Sequence, residues 1–423
     1  MILTHGANSL QHGFTPKPIP TGFTRVYGVK SAYRNTAFTL DISGLGITNQ
    51  DLESVMECYI TPFECKPYGQ TPYSTNTLCP WSTVSKIEFY NYSDSNRYRV
   101  YQRNGGGNYN SEFTTTDTSF GGRKTITCKN NLMTVNDTIW TIDSRVYAVM
   151  NVTSLSLWGP FDSPIYTPIT IYEVTVKKGD TIYAHLIPVR DESTGKPNFF
   201  DEVSGRVMTP ELGPTWTEWN EFEIIDGVEI GGRMYPMVTI GNQVWLAENL
   251  DYKFDGCAIG PTGAPSTPAA WYFSNDESTY GIDGTYKCGL LYNWFAAKYL
   301  DDNKSTLLPA GWRVPVGTDF QALITNIGGR QEGTKIRSND IPWATSWQGA
   351  NDTGFSALPC GIASRMDGDN AFYGLGQYNR LWTPTDSSGS DRQMMVITDN
   401  DLSYESYSHV TQGCTIRLVK DAT

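Results

Sequence analysis

The sequence is short of charge, of histidine and of long apolar runs. Asp, Glu, Lys and Arg make up only 18% of its 423 residues, against roughly 25% in average globular chains, which disfavours both disorder and long coiled coils. The charge present is unbalanced: 32 Lys plus Arg against 44 Asp plus Glu give a net −12, the wrong sign for a surface that neutralises phosphate backbones. Nucleic acid is therefore not an expected partner. No stretch approaches the roughly 18 consecutive apolar residues of a membrane span, so membrane insertion is not expected either. Met1 to Pro20 holds one apolar cluster, Met1-Ile2-Leu3, followed by Gly, His, Ser and Pro, with neither the basic nor the apolar region of a secretory signal. An exported role would then use a route other than general secretion.

The four histidines, His5, His12, His185 and His409, are scattered, with no His-Glu-x-x-His and no His/Cys cluster at ligand spacing, so neither a metal nor another cofactor is expected. His185, on an apolar strand, reads as a core or edge residue. Eight cysteines (Cys58, Cys65, Cys79, Cys128, Cys257, Cys288, Cys360, Cys414) are too sparse for a disulfide scaffold and form no Cys-x-x-Cys. Cys58, Cys65 and Cys79 are close in sequence but lack a nearby His. Cys360 and Cys414 read as buried thiols or as a bridge between them. A sandwich glycosidase would need carboxylates spaced Glu-x-Asp-x-x-Glu on one strand face, and no such run occurs. Gly105-Gly106-Gly107 runs into Asn108-Tyr109 without the Lys-Ser/Thr of a phosphate loop, so it reads as a hairpin turn. The chain is not expected to be an enzyme.

What is abundant is Gly (40), Tyr (25) and Trp (12), a composition suited to strands and ordered loops. At roughly 150 residues per domain, the length implies two or three domains. From Thr24 to about Pro210, short β-branched and aromatic runs such as Lys86–Tyr90, Arg97–Tyr101 and Thr125–Cys128 are broken by Gly, Asn, Asp and Ser, and Ile169–Val176 alternates up to the turn Lys178-Gly179-Asp180. That spacing predicts an antiparallel sandwich. Beyond a Pro- and Trp-containing connector the texture changes. Helices are expected through Leu290–Leu300 and Thr318–Ile327, the second with Phe320, Leu323, Ile324 and Ile327 on one face, a Thr318 N-cap with Gln321 three residues on, and a Gly328-Gly329 stop. The expected organisation is an N-terminal segment over 1–24, a sandwich over 25–213, a linker over 214–224 and a second domain over 225–423.

The tail of the first domain, His185-Leu186-Ile187-Pro188-Val189-Arg190-Asp191, Phe199-Phe200-Asp201 and Val203-Ser204-Gly205, resembles the closing strands of laminin-G or concanavalin A-like sandwiches found in gut-bacterial and phage proteins. The second domain carries six motifs in fixed order: Gln243–Leu250, Gly289–Trp294, Leu308–Pro315, Gly354–Pro359, Leu381–Thr385 and Thr415–Asp421. It resembles the Fibrobacter succinogenes major paralogous domain, a C-type-lectin-like fold related to formylglycine-generating enzymes. Cys360 and Leu418 depart from it where Gly and Cys are more usual, and Pro384 stands in place of a Ser. The fold class expected is thus mainly β in two domains, an antiparallel concanavalin-like sandwich followed by an α+β C-type-lectin-like domain. Its closing strand, Thr415 to Val419, should lie in the sheet near Val244 to Leu246.

The calcium triplets of sugar-binding C-type lectins are missing, and Asp367-Gly368-Asp369-Asn370 reads as a Gly turn rather than a metal loop. Between about 360 and 412 a regular framework alternates with a mixture of Tyr, Ser, Asp, Asn, Gly and Arg, which antibody paratopes use because Tyr gives large contact area at low entropy cost. Twelve side chains are the expected ligand surface: Arg365, Asp367, Tyr373, Tyr378, Arg380, Asp386, Asp391, Asp399, Asp401, Tyr404, Tyr407 and His409. Framework residues Phe372, Leu381, Trp382, Val396 and Ile397 should face the other way. The region also resembles the variable end of proteins targeted by diversity-generating retroelements, whose adenine-directed mutagenesis rewrites asparagine codons. This resemblance implies a diversified adhesin, with a phage or prophage tail receptor-binding protein favoured over a bacterial surface or secreted adhesin. A sandwich glycosidase or a formylglycine-type oxidase ranks third. Expected partners are a cell-surface protein or glycan receptor and virion tail proteins, with a homo-oligomer left open, and the expected location is a virion tail or an extracellular surface.

Overall fold

The computed structural model describes residues 14–31, 169–209 and 222–422 apart from 262–264, 340–346, 348, 365–370, 387–390 and 400; between 32 and 221 outside those ranges it describes strands alone. The chain divides between Ile225 and Asp226 into two compact units. The fold is mainly β, as the alternating runs predict.

The N-terminal unit contains two antiparallel sheets. In the larger, Ile169–Lys178 is bracketed by Glu53–Ile60 and Thr181–Asp191, and the latter pairs in turn with Pro197–Asp201. The Lys178-Gly179-Asp180 turn sets the hairpin register, with Gly179 at φ 57° where an L side chain would be strained. The smaller sheet runs from Glu211–Leu212 through Thr36–Asp41 to Gly107–Thr115. Ile169–Lys178 buries Ile171, Val174 and Val176, with a register shift between Ile171 and Glu173 interrupting strict alternation, while Leu186, Ile187, Val189, Phe199 and Phe200 are buried from the neighbouring strands. Asp201 explains the signature tail locally: its carboxylate accepts the backbone N–H of His185 (3.0 Å), Val203 (3.1 Å) and Ser204 (3.2 Å), satisfying donors that the turn at Gly205 would otherwise strand. Part of the expected linker is structured, since Phe222–Ile225 pairs with Gly28–Ser31.

In the C-terminal unit the Arg233–Ile240 and Gln243–Leu246 strands form a hairpin, and the chain's last strand, Val419–Asp421, pairs with Gln243–Trp245. Leu246 N–H donates to Leu418 O at 3.1 Å and Leu250 N–H to Ile416 O at 2.9 Å. The C-terminal segment closes the sheet beside Gln243–Leu246 as expected, but the paired strand is Val419–Asp421, later than the expected Thr415 to Val419, whose earlier residues join through single bonds. Two large apolar cores result, beside a smaller cluster of Ala269, Trp271, Phe273, Leu291 and Ala363. One gathers Tyr235, Leu246, Tyr292, Trp294, Trp312, Ile362, Trp382, Met394 and Ile416; the other gathers Trp245, Phe320, Leu323, Ile324, Ile327, Phe355, Leu381, Met395, Ile397 and Val419.

Both helices form, with shifted starts. The second spans Gly317–Ile327 with Val316 at its N-cap, so the expected cap Thr318 lies inside the first turn, and Asp319, at the third helical position, closes the end by accepting Val316 N–H at 2.8 Å. Asp319 is held there by Arg313 Nη2 (2.9 Å) and by Gln243 Nε2 (3.0 Å), and those anchors outweigh the local preference of Thr for the cap. Gly328, at φ 107°, ends the helix as expected. The first helix begins only at Trp294, because Leu291–Tyr292 pairs with Ala270–Trp271 as a strand and Tyr292 bridges to Cys414. Asn293 marks the change: its Oδ1 accepts Ala296 N–H at 2.9 Å as an N-cap.

Candidate functional site

The variable region is built on two antiparallel pieces, the hairpin Cys360–Ser364/Ala371–Leu375 and the sheet Tyr378–Trp382/Asp391–Thr398/Leu402–His409. The segment Gly413–Thr415 stitches them together: Ala363 N–H donates to Gly413 O at 3.0 Å, and Thr415 N–H donates to Arg380 O at 2.9 Å.

Period-2 alternation does operate here, with a different result from the one expected. Leu381 and Trp382 are both fully buried although successive residues point to opposite faces. Trp382 with Met394 enters one core, and Leu381 with Met395 enters the other. The strands are sandwiched between two apolar layers at their centres, so alternation there separates core from core. Of the expected framework, Phe372 and Val396 are only partly buried. Side chains reach solvent toward the strand ends and in the turns.

The expected site residues distribute accordingly. Tyr373 is 55% exposed. Tyr378 is half-buried against the first core, and the Arg380 guanidinium stacks 4.8 Å above its ring, a cation–π pairing. Burial raises the Tyr378 hydroxyl pKa, with the Arg380 charge opposing the shift. Arg380 also donates from Nη1 to Gln412 Oε1 at 3.5 Å. Exposed Asp386 pairs with Arg392 at 2.9 Å. Asp391, exposed, stands opposite partly buried His409 in register, and His409 Nδ1 lies 2.8 Å from Thr411 Oγ1. Asp399 and Asp401 occupy the turn at the other end of the Asp391–Thr398 strand, roughly 25 Å away at about 3.3 Å per residue; there Asp401 Oδ1 accepts Leu402 N–H at 2.8 Å. Tyr404 and Tyr407 lie on the Leu402–His409 strand, their side chains outside the described residues. Arg365, Asp367 and the rest of the Asp367–Asn370 turn fall outside them altogether.

Two residues that sequence reasoning left out complete this surface. Arg392 stacks 4.4 Å above the Trp294 ring, so a guanidinium covers the start of the first helix, and Gly374, at φ 75°, lies against Tyr378. A Cβ at Gly374 would come 2.1 Å from Tyr378 Cζ. Gly374→Ala is therefore expected to cost about 1–3 kcal/mol, from backbone strain plus displacement of the Tyr378–Arg380 stack, measurable by urea unfolding together with a change in tyrosine fluorescence. An Asp-Arg dipeptide beside a Trp-led helix carries no local signal of this stacking, which depends on the tertiary fold.

The N-terminal unit holds a second charged constellation. His185, 3% exposed, sits between two carboxylates, with Nε2 2.7 Å from Glu173 Oε1 and Nδ1 2.6 Å from Glu202 Oε2. Burial alone would lower the His185 pKa, but Glu173 and then Glu202 outweigh it and raise it to about 9. Phe14 packs 5.6 Å from the imidazole. His185 is a core residue as read from the sequence, but a charged one. The signal was within reach: the hairpin register opposes Thr175 to His185, which leaves Glu173, two residues along, on the same face. No cluster of three or more His, Cys, Asp or Glu suited to a metal occurs among the described residues.

Residues 238–420 match the Fibrobacter succinogenes major domain. The six ordered motifs, except for Asp421, the last residue of the final one, thus lie within a stretch that this family covers on independent grounds, and buried Arg417, in the last of them, shows what one motif does. Its guanidinium, fully buried, donates to Asn249 Oδ1 at 2.7 Å and to the carbonyl of Phe355, tying three motifs together. No protein of curated function matches the chain. Among solved structures it is similar to an alginate lyase from Alteromonas sp. 272 (12% identity, 33% of this chain and 77% of that one, TM-score 0.23). It is also similar to a polysaccharide lyase of family 18 (11% identity, 38% and 98%, TM-score 0.25). A botulinum neurotoxin type C structure, described by its interaction with two ganglioside molecules, is a third (6% identity, 59% and 83%, TM-score 0.23). These likenesses correct one expectation. Polysaccharide lyases stand among the similar structures, so the exclusion of an enzyme is withdrawn, while TM-scores this low assign the chain no activity.

Proposed function

We propose that the C-terminal unit is a ligand-binding module whose receptor-facing surface is carried by the Ala371–Leu375 hairpin strand and the exposed ends of the Tyr378–Trp382 and Asp391–Thr398 strands. The observation that carries this reading is the pair of arginine–aromatic stacks, Arg380 on Tyr378 and Arg392 on Trp294, set on a doubly buried and therefore rigid sheet. Rigid aromatic and Arg side chains at a partly solvated edge are the residue types that dominate binding energies, and a fixed framework beneath changeable loops suits a surface that varies. The setting that fits best is a diversified receptor-binding protein of a phage or prophage tail, acting at the virion exterior on a cell-surface protein or glycan.

Cells and glycans bound by the full chain test this. Arg380→Ala and Arg392→Ala are each expected to weaken binding at least about fivefold, roughly 1 kcal/mol, with the Arg380 variant's unfolding midpoint nearly unchanged. Undiminished binding by both variants would remove the surface from the reading. The diversification part is tested separately in the genome, where a reverse-transcriptase gene should accompany a template repeat of codons 360–421 differing at adenines.

A further inference from the structure

Cys288 and Cys360 come from segments 72 residues apart and are both fully buried. Each opens a Cys-Gly dipeptide, and both glycines are left-handed, Gly289 at φ 72° and Gly361 at φ 66°. A Cβ would meet Leu250 O at 2.9 Å from Gly289 and Tyr373 O at 2.2 Å from Gly361. The backbone following each cysteine is therefore pressed against its neighbours, which fixes where each thiol points. Asn249 Nδ2 spans the two, donating to Cys288 O at 3.0 Å and to Cys360 Sγ at 3.3 Å. Cys360 Sγ is 3.8 Å from Cys288 O, so the Cys360 thiol lies against the Cys288 backbone, and Cys360 joins burial in raising the pKa of the Cys288 thiol. The Cys360–Cys414 bridge that the sequence left open has no such support: the Cys414 backbone pairs with Tyr292, and it is Cys288 that meets Cys360. Among the described cysteines, all unbridged here, these two are the ones in which one cysteine's thiol reaches the other's carbonyl.

We propose that Cys288 and Cys360 are a redox modification site, joined by a disulfide in the oxidised protein. The bond ties the loop ahead of Leu291–Tyr292 to the first residue of the Cys360–Ser364 strand, beneath the hairpin that carries Tyr373 and Gly374. The oxidant is a disulfide, RSSR, such as glutathione disulfide. One cysteine thiolate attacks it, forming a mixed disulfide and releasing one RS⁻. The second thiolate then attacks the cysteine sulfur of that mixed disulfide, forming the Cys288–Cys360 bond and releasing the other RS⁻. Two protons leave the cysteines and two electrons reduce RSSR to two RSH. Burial pushes the Cys288 thiol well above its ordinary range, so the closed domain holds little thiolate. The exchange therefore proceeds during folding or transient opening, and the closed domain then shields the product from reductant.

The test uses the unmutated full chain, incubated with glutathione disulfide in urea at its unfolding midpoint, diluted back, and digested without reductant after blocking free thiols with N-ethylmaleimide. The expected result is a cross-linked peptide pair joining Cys288 to Cys360. A thermal midpoint on the order of 10 °C above that of the reduced chain is also expected, from closure of a long loop. Cys288→Ser and Cys360→Ser should each lose both the cross-link and the reductant sensitivity. Maleimide on both cysteines of the oxidised chain, or links from either one to other cysteines, would overturn the proposal. Peptide mapping on the unmutated protein decides the matter even if a serine variant fails to fold.

Discussion

Replacing Trp382 with Ala is expected to unfold the C-terminal unit. The indole is fully buried in the core that also holds Tyr292, Ile362 and Met394, and its Nε1–H donates to Tyr292 O at 2.7 Å. Truncating a buried Trp to Ala costs about 3–5 kcal/mol through lost transfer energy and the cavity left behind. Stranding the Tyr292 carbonyl adds about 1–3 kcal/mol. Against a typical domain stability of about 5–15 kcal/mol, the loss removes most or all of it. Trp382→Phe keeps most of the apolar area and loses only the donor, so it should retain a cooperative but weakened transition. Urea unfolding followed by tryptophan fluorescence orders the three proteins, and an unchanged midpoint for the Ala variant would contradict this placement of the strand. Arg380, two residues earlier, supplies the contrast, since its removal should be felt in binding.

The second large effect belongs to the N-terminal unit and depends on pH. His185→Ala removes the cation that bridges the Glu173 and Glu202 carboxylates, 12% and 15% exposed, and removing one partner from a buried ion cluster costs about 3–5 kcal/mol. The folded pKa of His185, about 9, is raised above the ordinary 6.5. Its stabilisation is therefore fully present below about pH 6.5 and is lost as pH rises through about 9. The difference amounts to roughly 3 kcal/mol at about 1.4 kcal/mol per pKa unit. Stability of this unit in the unmutated chain should fall between pH 6.5 and 9, and His185→Gln should abolish that slope. Urea midpoints across this range, read by a probe in the N-terminal unit, check both statements, and a variant that keeps the slope would show that another group titrates.

What the sequence by itself determined is whatever depends on short-range pattern. Alternation in Ile169–Val176 and the turn at Lys178-Gly179-Asp180 specified strands, because β-branched residues at period 2 suit a pleated, half-buried surface. The face Phe320, Leu323, Ile324 and Ile327 with Gly328 behind it specified a helix and its stop. Six motifs in order specified the C-terminal domain. Tertiary structure decided the rest. Asp319, rather than Thr318, closes the start of the second helix because Arg313, six residues before it, and Gln243, 76 residues away in sequence, hold its carboxylate. Strand pairing with Ala270–Trp271 claimed Leu291 and Tyr292 from the first helix. Leu381 and Trp382 both became core because a second apolar layer covers the face that alternation alone would leave to solvent. The meeting of Cys288 with Cys360, of Arg392 with Trp294, and of His185 with two glutamates joins residues across a sheet or between separate elements. No local preference encodes such contacts; register and packing create them.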